Sequence, residues 1–188
     1  MRRLIVFNNI STDGYFTDSH GDMRWAYDVA PDAEFDAFVS SNASGGGQLL
    51  FGRVTYQMMA SYWPTPAALK DMPAVAAGMN SMPKVVFSRT LDKASWENTQ
   101  LLKGDLATEV RKLKQQPGKD MVILGSGSIV AQLAPLGLID EFQFVVTPVA
   151  LGTGRILFEG MKDRLKLKLT QSRIFANGKA FLCYVPRA

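Results

Sequence analysis

The sequence predicts one α/β domain built on a mixed, mostly parallel sheet flanked by helices, with an antiparallel section at its C-terminal end. Three observations carry that expectation. Apolar runs of strand length stop at Gly52-Arg53, Ser88-Arg89 and Gly125-Ser126, and a fourth leads through Pro148 into Gly152-Thr153-Gly154-Arg155. Helical patterns alternate with these strands as far as about residue 134, as parallel pairing requires. From Glu141 onward, strands follow one another without a long helix, which suits antiparallel neighbours. Such a sheet lines up its strand ends along one edge, and open α/β sheets bind nucleotides outside that edge.

Residues 3–10 form the first expected strand. Pro31 opens a helix to about Ser41, with Phe35, Phe38 and Val39 on its buried stripe. Strand 48–51 ends at Gly52, and helix 53–62 follows with Val54, Met58 and Tyr62 along one side. Pro64, Pro66, Pro73 and Pro83 break up residues 64–83, so an irregular excursion with a short helix is expected before strand 84–88. Asp105 caps a helix that turns Leu106, Val110 and Leu113 inward and stops at Pro117-Gly118. Strand 121–124 feeds the Gly125-Ser126-Gly127 turn, and a helix near 127–134 buries Ile129, Val130 and Leu133. Strands are then expected at 141–149, about 164–172 and 179–185. No repeat or low-complexity linker divides the chain, so residues 1–188 read as one domain.

Composition narrows the function classes. Apolar residues make up 47% and charged ones 20%, an ordinary globular balance. No run approaches the roughly 20 apolar residues of a membrane span. Met1-Arg2-Arg3-Leu4 could open a signal peptide, but Asn8-Asn9 break the apolar run and no small-residue cleavage site follows; a first strand is the better reading. Cys183 is the sole cysteine, so no intrachain disulfide can form, which fits a reducing, cytoplasmic setting. The net charge is +4, and in Arg164-Leu165-Lys166-Leu167-Lys168-Leu169 the alternation puts cations on one strand face and leucines on the other. No aromatic residue interleaves those cations, so a solvated outer face is favoured over nucleic-acid binding. His20 has no cysteine or histidine companion for a metal, and no Gly-x-Ser-x-Gly elbow exists for a hydrolytic triad.

The motifs at the strand ends suit anions. Gly125-Ser126-Gly127-Ser128 follows a buried strand and opens a helix, where glycines allow close approach and free N–H groups face outward. It is not the dinucleotide fingerprint, because Val130 stands at the third glycine position, and no Gly-Lys-Ser/Thr phosphate loop occurs. A plain strand-to-helix connection is the competing reading. Gly52-Arg53-Val54-Thr55 and Ser88-Arg89 bring guanidinium and hydroxyl groups to two further strand ends, against the alternative of solvent-facing arginines. For Gly152-Thr153-Gly154-Arg155 a turn needing positive φ is the favoured reading. Glu34 and Asp36 flank the Phe35/Phe38 stripe, where a carboxylate could anchor an amino-heterocycle or simply face water.

In order and spacing, these residues resemble a known family. Ile10-Ser11-Thr12-Asp13-Gly14, Leu50-Phe51-Gly52-Arg53-Val54-Thr55-Tyr56, Val85-Val86-Phe87-Ser88-Arg89 and Val122-Ile123-Leu124-Gly125-Ser126-Gly127-Ser128-Ile129 carry the likeness, with Gly137-Leu138-Ile139-Asp140-Glu141-Phe142 and the run Thr147 to Phe158. Together they resemble the dihydrofolate reductase-like proteins, in the branch of the reductase (C-terminal) domain of the bacterial bifunctional riboflavin-biosynthesis deaminase/reductase. The likeness runs from about residue 3 to 185. It implies a dihydrofolate reductase-like fold, NADPH as cofactor, and hydride transfer to a pteridine- or pyrimidine-type heterocycle or its ring-opened sugar adduct. By motif match, Gly52, Arg53 and Thr55 would hold cofactor phosphates, and Ser88 and Arg89 would lie near the 2′-phosphate. Gly125, Ser126, Gly127, Ser128 and Ile129 would wrap the pyrophosphate, and the backbone of Asn9 would meet the nicotinamide. Trp25 resembles the tryptophan of the mobile substrate loop. Glu34 and Asp36 compete for the place of the substrate carboxylate and, with Trp25, make up the expected catalytic set. The resemblance also implies a homodimer. No deaminase zinc-ligand set accompanies these motifs, so a role in riboflavin synthesis does not follow. True dihydrofolate reduction and a non-catalytic nucleotide- or pterin-binding role remain alternatives.

Overall fold

Six strands paired in parallel and a closing antiparallel hairpin share one sheet in the computed structural model, which describes residues 1–187. The chain enters through β1 (Leu4–Ser11) and a short β2 (Tyr15–Thr17). A 3-10 turn (Arg24–Ala26) leads to α1 (Ala33–Ser44), capped by the Asp32 carboxylate, which accepts from Glu34 N at 2.9 Å and Phe35 N at 3.0 Å. β3 (Gln48–Gly52) runs straight into α2 (Arg53–Tyr62). The proline-rich stretch is more regular than expected. It forms α3 (Pro66–Asp71) and α4 (Pro73–Ser81), each opened by a proline at the position where a missing N–H breaks no helical bond.

β4 (Lys84–Phe87) is followed by β5 (Thr99–Leu102), a strand the sequence reading did not foresee. Then come α5 (Leu106–Gln115), capped by Asp105 as expected, β6 (Met121–Leu124) and α6 (Gly127–Leu133). β7 (Glu141–Thr147) stops short of Pro148, which has no N–H for the ladder. β8 (Arg155–Ile156) pairs with β2 in a separate ribbon, and β9 (Leu167–Ile174) and β10 (Ala180–Pro186) form the closing hairpin. The sheet order is β5-β4-β3-β6-β1-β7-β10-β9, parallel from β5 to β7 and antiparallel beyond. This is the expected dihydrofolate reductase-like architecture.

Apolar side chains fill both faces. Leu4, Val6, Met121 and Ile123 pack with Val110 and Leu113 of α5 and Ile129, Val130 and Leu133 of α6. On the other face Leu49, Phe51 and Val86 meet Tyr56, Trp63, Val75 and Met79. Phe35 of α1 packs there with Val145, Phe175 and Phe181. Each such side chain contributes about 1.5–3 kcal/mol by leaving water, so these layers hold the strand ends in place.

Two expected faces are turned. Val54, Met58 and Tyr62 of α2 are 57%, 37% and 40% exposed, and Tyr56, Met59 and Trp63 point inward instead. Both stripes have helical spacing, so periodicity could not choose between them. The inward aromatic is also anchored: the Tyr56 hydroxyl accepts from Trp96 N at 2.8 Å. In the closing hairpin, Tyr184 pairs with Leu169 but Cys183 pairs with Gln171, so a bulge at Thr170 switches the faces of β9. Arg164, Lys166 and Lys168 are exposed as expected, but Leu169 is exposed too, and Arg173 turns toward α1.

Candidate functional site

β1 keeps its two neighbours for different lengths. Its ladder with β6 stops at Phe7 and Leu124, whereas its ladder with β7 runs on to Ser11 and Thr147. The sheet therefore opens between β1 and β6 where Gly125 turns the chain away, leaving Asn8, Asn9 and Ile10 without a ladder partner on that side. A split at the carboxyl ends of parallel strands is where open α/β sheets admit ligands.

The Gly125-Ser126-Gly127 turn forms the far wall of this split. Ser126 has φ +57, a left-handed conformation that strains any residue with a side chain. Neighbouring groups hold it there. Ser126 N donates to Thr55 Oγ1 at 3.1 Å, Gly52 N donates to Ser126 Oγ at 3.0 Å, and Ser126 Oγ donates to Leu124 O at 3.1 Å. Ile129 packs beside Gly52. Thus Gly52, Thr55, Ser126 and Ile129, drawn from two strand ends, form one interlocked unit. The glycines of the turn make room for protein atoms: a Cβ at Gly127 would lie 2.8 Å from the Phe16 ring, and one at Gly125 would lie 3.0 Å from Thr55. Ser128 is exposed on the first turn of α6.

Cations continue the same edge. Gly52 pairs with Phe87, so Arg53 and Ser88-Arg89 leave adjacent strand ends. Arg53 is exposed and donates to Gln57 Oε1 at 3.0 Å. Ser88 Oγ accepts from Thr90 N at 3.2 Å and Leu91 N at 2.9 Å, folding the turn that carries Arg89. The Asp105 carboxyl is held below its ordinary pKa, chiefly by hydrogen bonds from Thr108 and further by the nearby Arg111 and Arg89. Exposed Lys103, one residue past β5, adds a cation that the sequence reading did not single out. Lys84 opens β4 at the opposite end and is buried, with Nζ donating to Met82 O at 2.7 Å.

Two buried acceptors flank the end of β1 without partners. Asn8 is 2% exposed; its Nδ2 donates to Gly125 O at 3.4 Å and its Oδ1 meets no donor. Thr147, in register with Ser11, is fully buried and its Oγ1 has no partner either. An unsatisfied buried acceptor costs about 1–3 kcal/mol, so the Asn8 oxygen, beside the Gly125 turn, is suited to a ligand donor. Asn9, half-buried, stands in register with Val145.

Trp25 lies on the 3-10 turn, with Nε1 donating to Asp22 O at 3.1 Å. Glu34 is exposed and ion-paired to Arg173, whereas Asp36, also exposed, acts electrostatically on Lys179. The two carboxylates thus serve different neighbours. Asp13 ties the first turn to the loop after β7: it accepts from Leu151 N at 3.1 Å and Gly152 N at 2.7 Å. A Ser11 hydroxyl bond, then those amides, hold its pKa down to about 2. Gly152-Thr153-Gly154-Arg155 is a turn, as favoured; Gly154 has φ +153, and a Cβ there would lie 2.0 Å from Thr17 O. No group of three or more His, Cys, Asp or Glu is placed for a metal ion, and no helix is long and apolar enough to cross a membrane, among the described residues.

The family model of the RibD C-terminal domain matches residues 2–181. The chain belongs to this family. It is 31% identical over 186 residues, 97% of this chain and 94% of the other, to the uncharacterized protein YyaP of Bacillus subtilis (strain 168). Among solved structures it is similar to a protein from Shewanella sp. PV-4 assigned to riboflavin biosynthesis, with TM-score 0.76, 24% identity and 99% of each chain covered. It is also similar in fold to the dihydrofolate reductase of Enterococcus faecalis complexed with NADP(H), with TM-score 0.66, 12% identity, and 99% and 97% coverage.

A RibD C-terminal domain is thus built here with a split sheet, an interlocked turn and a row of cations. A nucleotide cofactor fits that arrangement: the unpaired Asn8 Oδ1 lies at the split and Arg53, Arg89 and Lys103 lie along the same edge. Asn8, Thr147 and Lys103 escaped the sequence reading. Nothing in an isolated asparagine or threonine reveals that packing will leave its oxygen buried and unmatched.

Proposed function

We propose that this chain is an NADPH-dependent reductase. Its acceptor is a pteridine- or pyrimidine-type heterocycle or a ribityl- or ribosyl-amino derivative, as in 5-amino-6-(5-phosphoribosylamino)uracil reduction. The observation that carries this reading is the opening between β1 and β6, with the orphaned Asn8 Oδ1 inside it and exposed cations beside it. NADPH, when bound, supplies the hydride. Arg53 and Arg89 would pair with cofactor phosphates, while the Thr55–Ser126–Gly52 bonds keep the two turns that receive it in a fixed relation. Because Glu34 is held by Arg173, Asp36 is the carboxylate proposed to anchor an amino-heterocycle, with Trp25 covering it. The proposed setting is the cytoplasm, supported by a lone and buried Cys183. A homodimer is the proposed assembly, supported by the outermost strand β9, where Leu169 and Ile174 are 48% and 71% exposed; light scattering that finds single chains in solution would end it.

The test is NADPH binding, followed by loss of NADPH absorbance with a panel of pyrimidines and pteridines that includes dihydrofolate. Failure to bind NADPH overturns the cofactor assignment. Binding without turnover on any member would favour the non-catalytic reading, and turnover of dihydrofolate alone would move the substrate to folates.

A further inference from the structure

Lys179, in the turn between β9 and β10, is 1% exposed, and among the described residues it makes no ion pair. Its Nζ donates to Ala26 O at 2.7 Å, and lies 4.0 Å from the centroid of the Phe35 ring and 5.9 Å from that of Tyr27. One ammonium thus joins the hairpin, the Arg24–Ala26 turn and α1. Of the surrounding carboxylates, two are engaged elsewhere and one acts on Lys179 without pairing with it. Asp32 caps α1 and accepts from Asn177 N at 3.1 Å, Glu34 binds Arg173, and Asp36 acts on Lys179 through space.

Burial pushes the Lys179 pKa down to about 8, with Asp36 opposing. A lysine whose pKa falls on folding is less favourable charged inside than in water, so below about pH 8 its burial weakens the fold. A methionine of similar length would fill this aromatic niche without that penalty. Stability therefore does not account for the ammonium. Its visible effect is to hold the carbonyl of the turn on which Trp25 stands.

The other polar contacts of that segment are internal. Ala26 N donates to Met23 O, Tyr27 N to Arg24 O, Trp25 Nε1 to Asp22 O, and Asp22 N to Asp18 Oδ1. We propose that Lys179 is a positioning residue: it fastens the Arg24–Ala26 turn to α1 and the closing hairpin, and so sets where Trp25 stands relative to α1. The consequence for catalysis rests on the reductase reading above; the mechanical link does not.

The test is hydrogen exchange followed by mass spectrometry on the full chain, comparing the natural protein with Lys179→Met and Lys179→Arg at neutral pH. In Lys179→Met, peptides covering residues 22–28 should exchange roughly tenfold faster, the effect of losing one tethering hydrogen bond. Peptides from β1, β6 and β7 should be unchanged, and arginine, which keeps charge and donors, should restore most of the protection. In the same variants NADPH affinity should hold while KM for a reducible heterocycle rises in Lys179→Met and recovers in Lys179→Arg. Unchanged exchange over 22–28 in Lys179→Met would overturn the proposal. So would an equal acceleration in the core strands, which would mean general loosening. A protein that reduces nothing counts against the reductase reading, and the exchange result still decides this one.

Discussion

Replacing Arg53 by alanine should weaken NADPH binding more than replacing Arg89. Among the described residues Arg53 makes no ion pair, and its hydrogen-bond partner is the neutral Gln57. Arg89 and Arg111 both act on Asp105, so part of its charge is already balanced. NADPH differs from NADH by a 2′-phosphate carrying about 1.5–2 negative charges. A charge-assisted hydrogen bond to it contributes about 1.5–3 kcal/mol, which is roughly a ten- to hundredfold change in affinity. Arg53→Ala should fall in that range and Arg89→Ala at its lower end, while NADH affinity shifts little. Because both side chains are exposed, the effect should shrink as salt rises. The assay is titration of both cofactors into the natural protein and each variant at low and moderate ionic strength. A natural NADPH/NADH preference near one would refute the reasoning. A strong preference surviving in both variants would assign the phosphate to Lys103, since Lys84 is buried at the far end of β4.

Further outcomes follow from the same contacts. Gly127→Val should destabilise the fold by roughly 1–3 kcal/mol through overpacking, because its Cβ would overlap the Phe16 ring; an unchanged melting temperature would show that the ring yields freely. Glu34→Gln should leave turnover nearly intact, since it removes a surface ion pair with Arg173, whereas Asp36→Asn should depress turnover with NADPH affinity retained. Equal turnover in both variants would dismiss the carboxylate anchor. Lys84, fully buried, has its pKa pushed down to about 8 by burial, against an ordinary 10.5. The unfolded chain therefore binds more protons between those values, and stability rises with pH across that window. At about 1.36 kcal/mol per unit, the gain is at most about 3 kcal/mol relative to Lys84→Met. Chemical denaturation of both proteins between pH 8 and 10.5 checks it, and parallel pH profiles would show that Lys84 titrates normally.

The alternation of strands and helices, the cap at Asp105, and the strand-end glycines and arginines are local features. Local chemistry decides them, so they are legible in the chain: β3, β4 and β6 end where Gly52, Ser88 and Gly125 say they should. The family likeness was legible for the same reason, since it consists of short motifs in a fixed order. Other properties depend on which atoms meet across the sheet. Val54-Met58-Tyr62 and Tyr56-Met59-Trp63 are equally helical stripes, and only packing against Phe51 and Trp96 turned the second inward. Thr55 and Ser126 are 71 residues apart, and their union required β3 and β6 to be neighbours. The pairing of Glu34 with Arg173, which sets it apart from Asp36, hung on a bulge at Thr170 that rotated Arg173 toward α1. The unmatched oxygens of Asn8 and Thr147, and the buried ammonium of Lys179, arise from what surrounds them and not from what they are. A residue's type sets which interactions it can make; the tertiary fold, by bringing or withholding partners, decides which of them it does make.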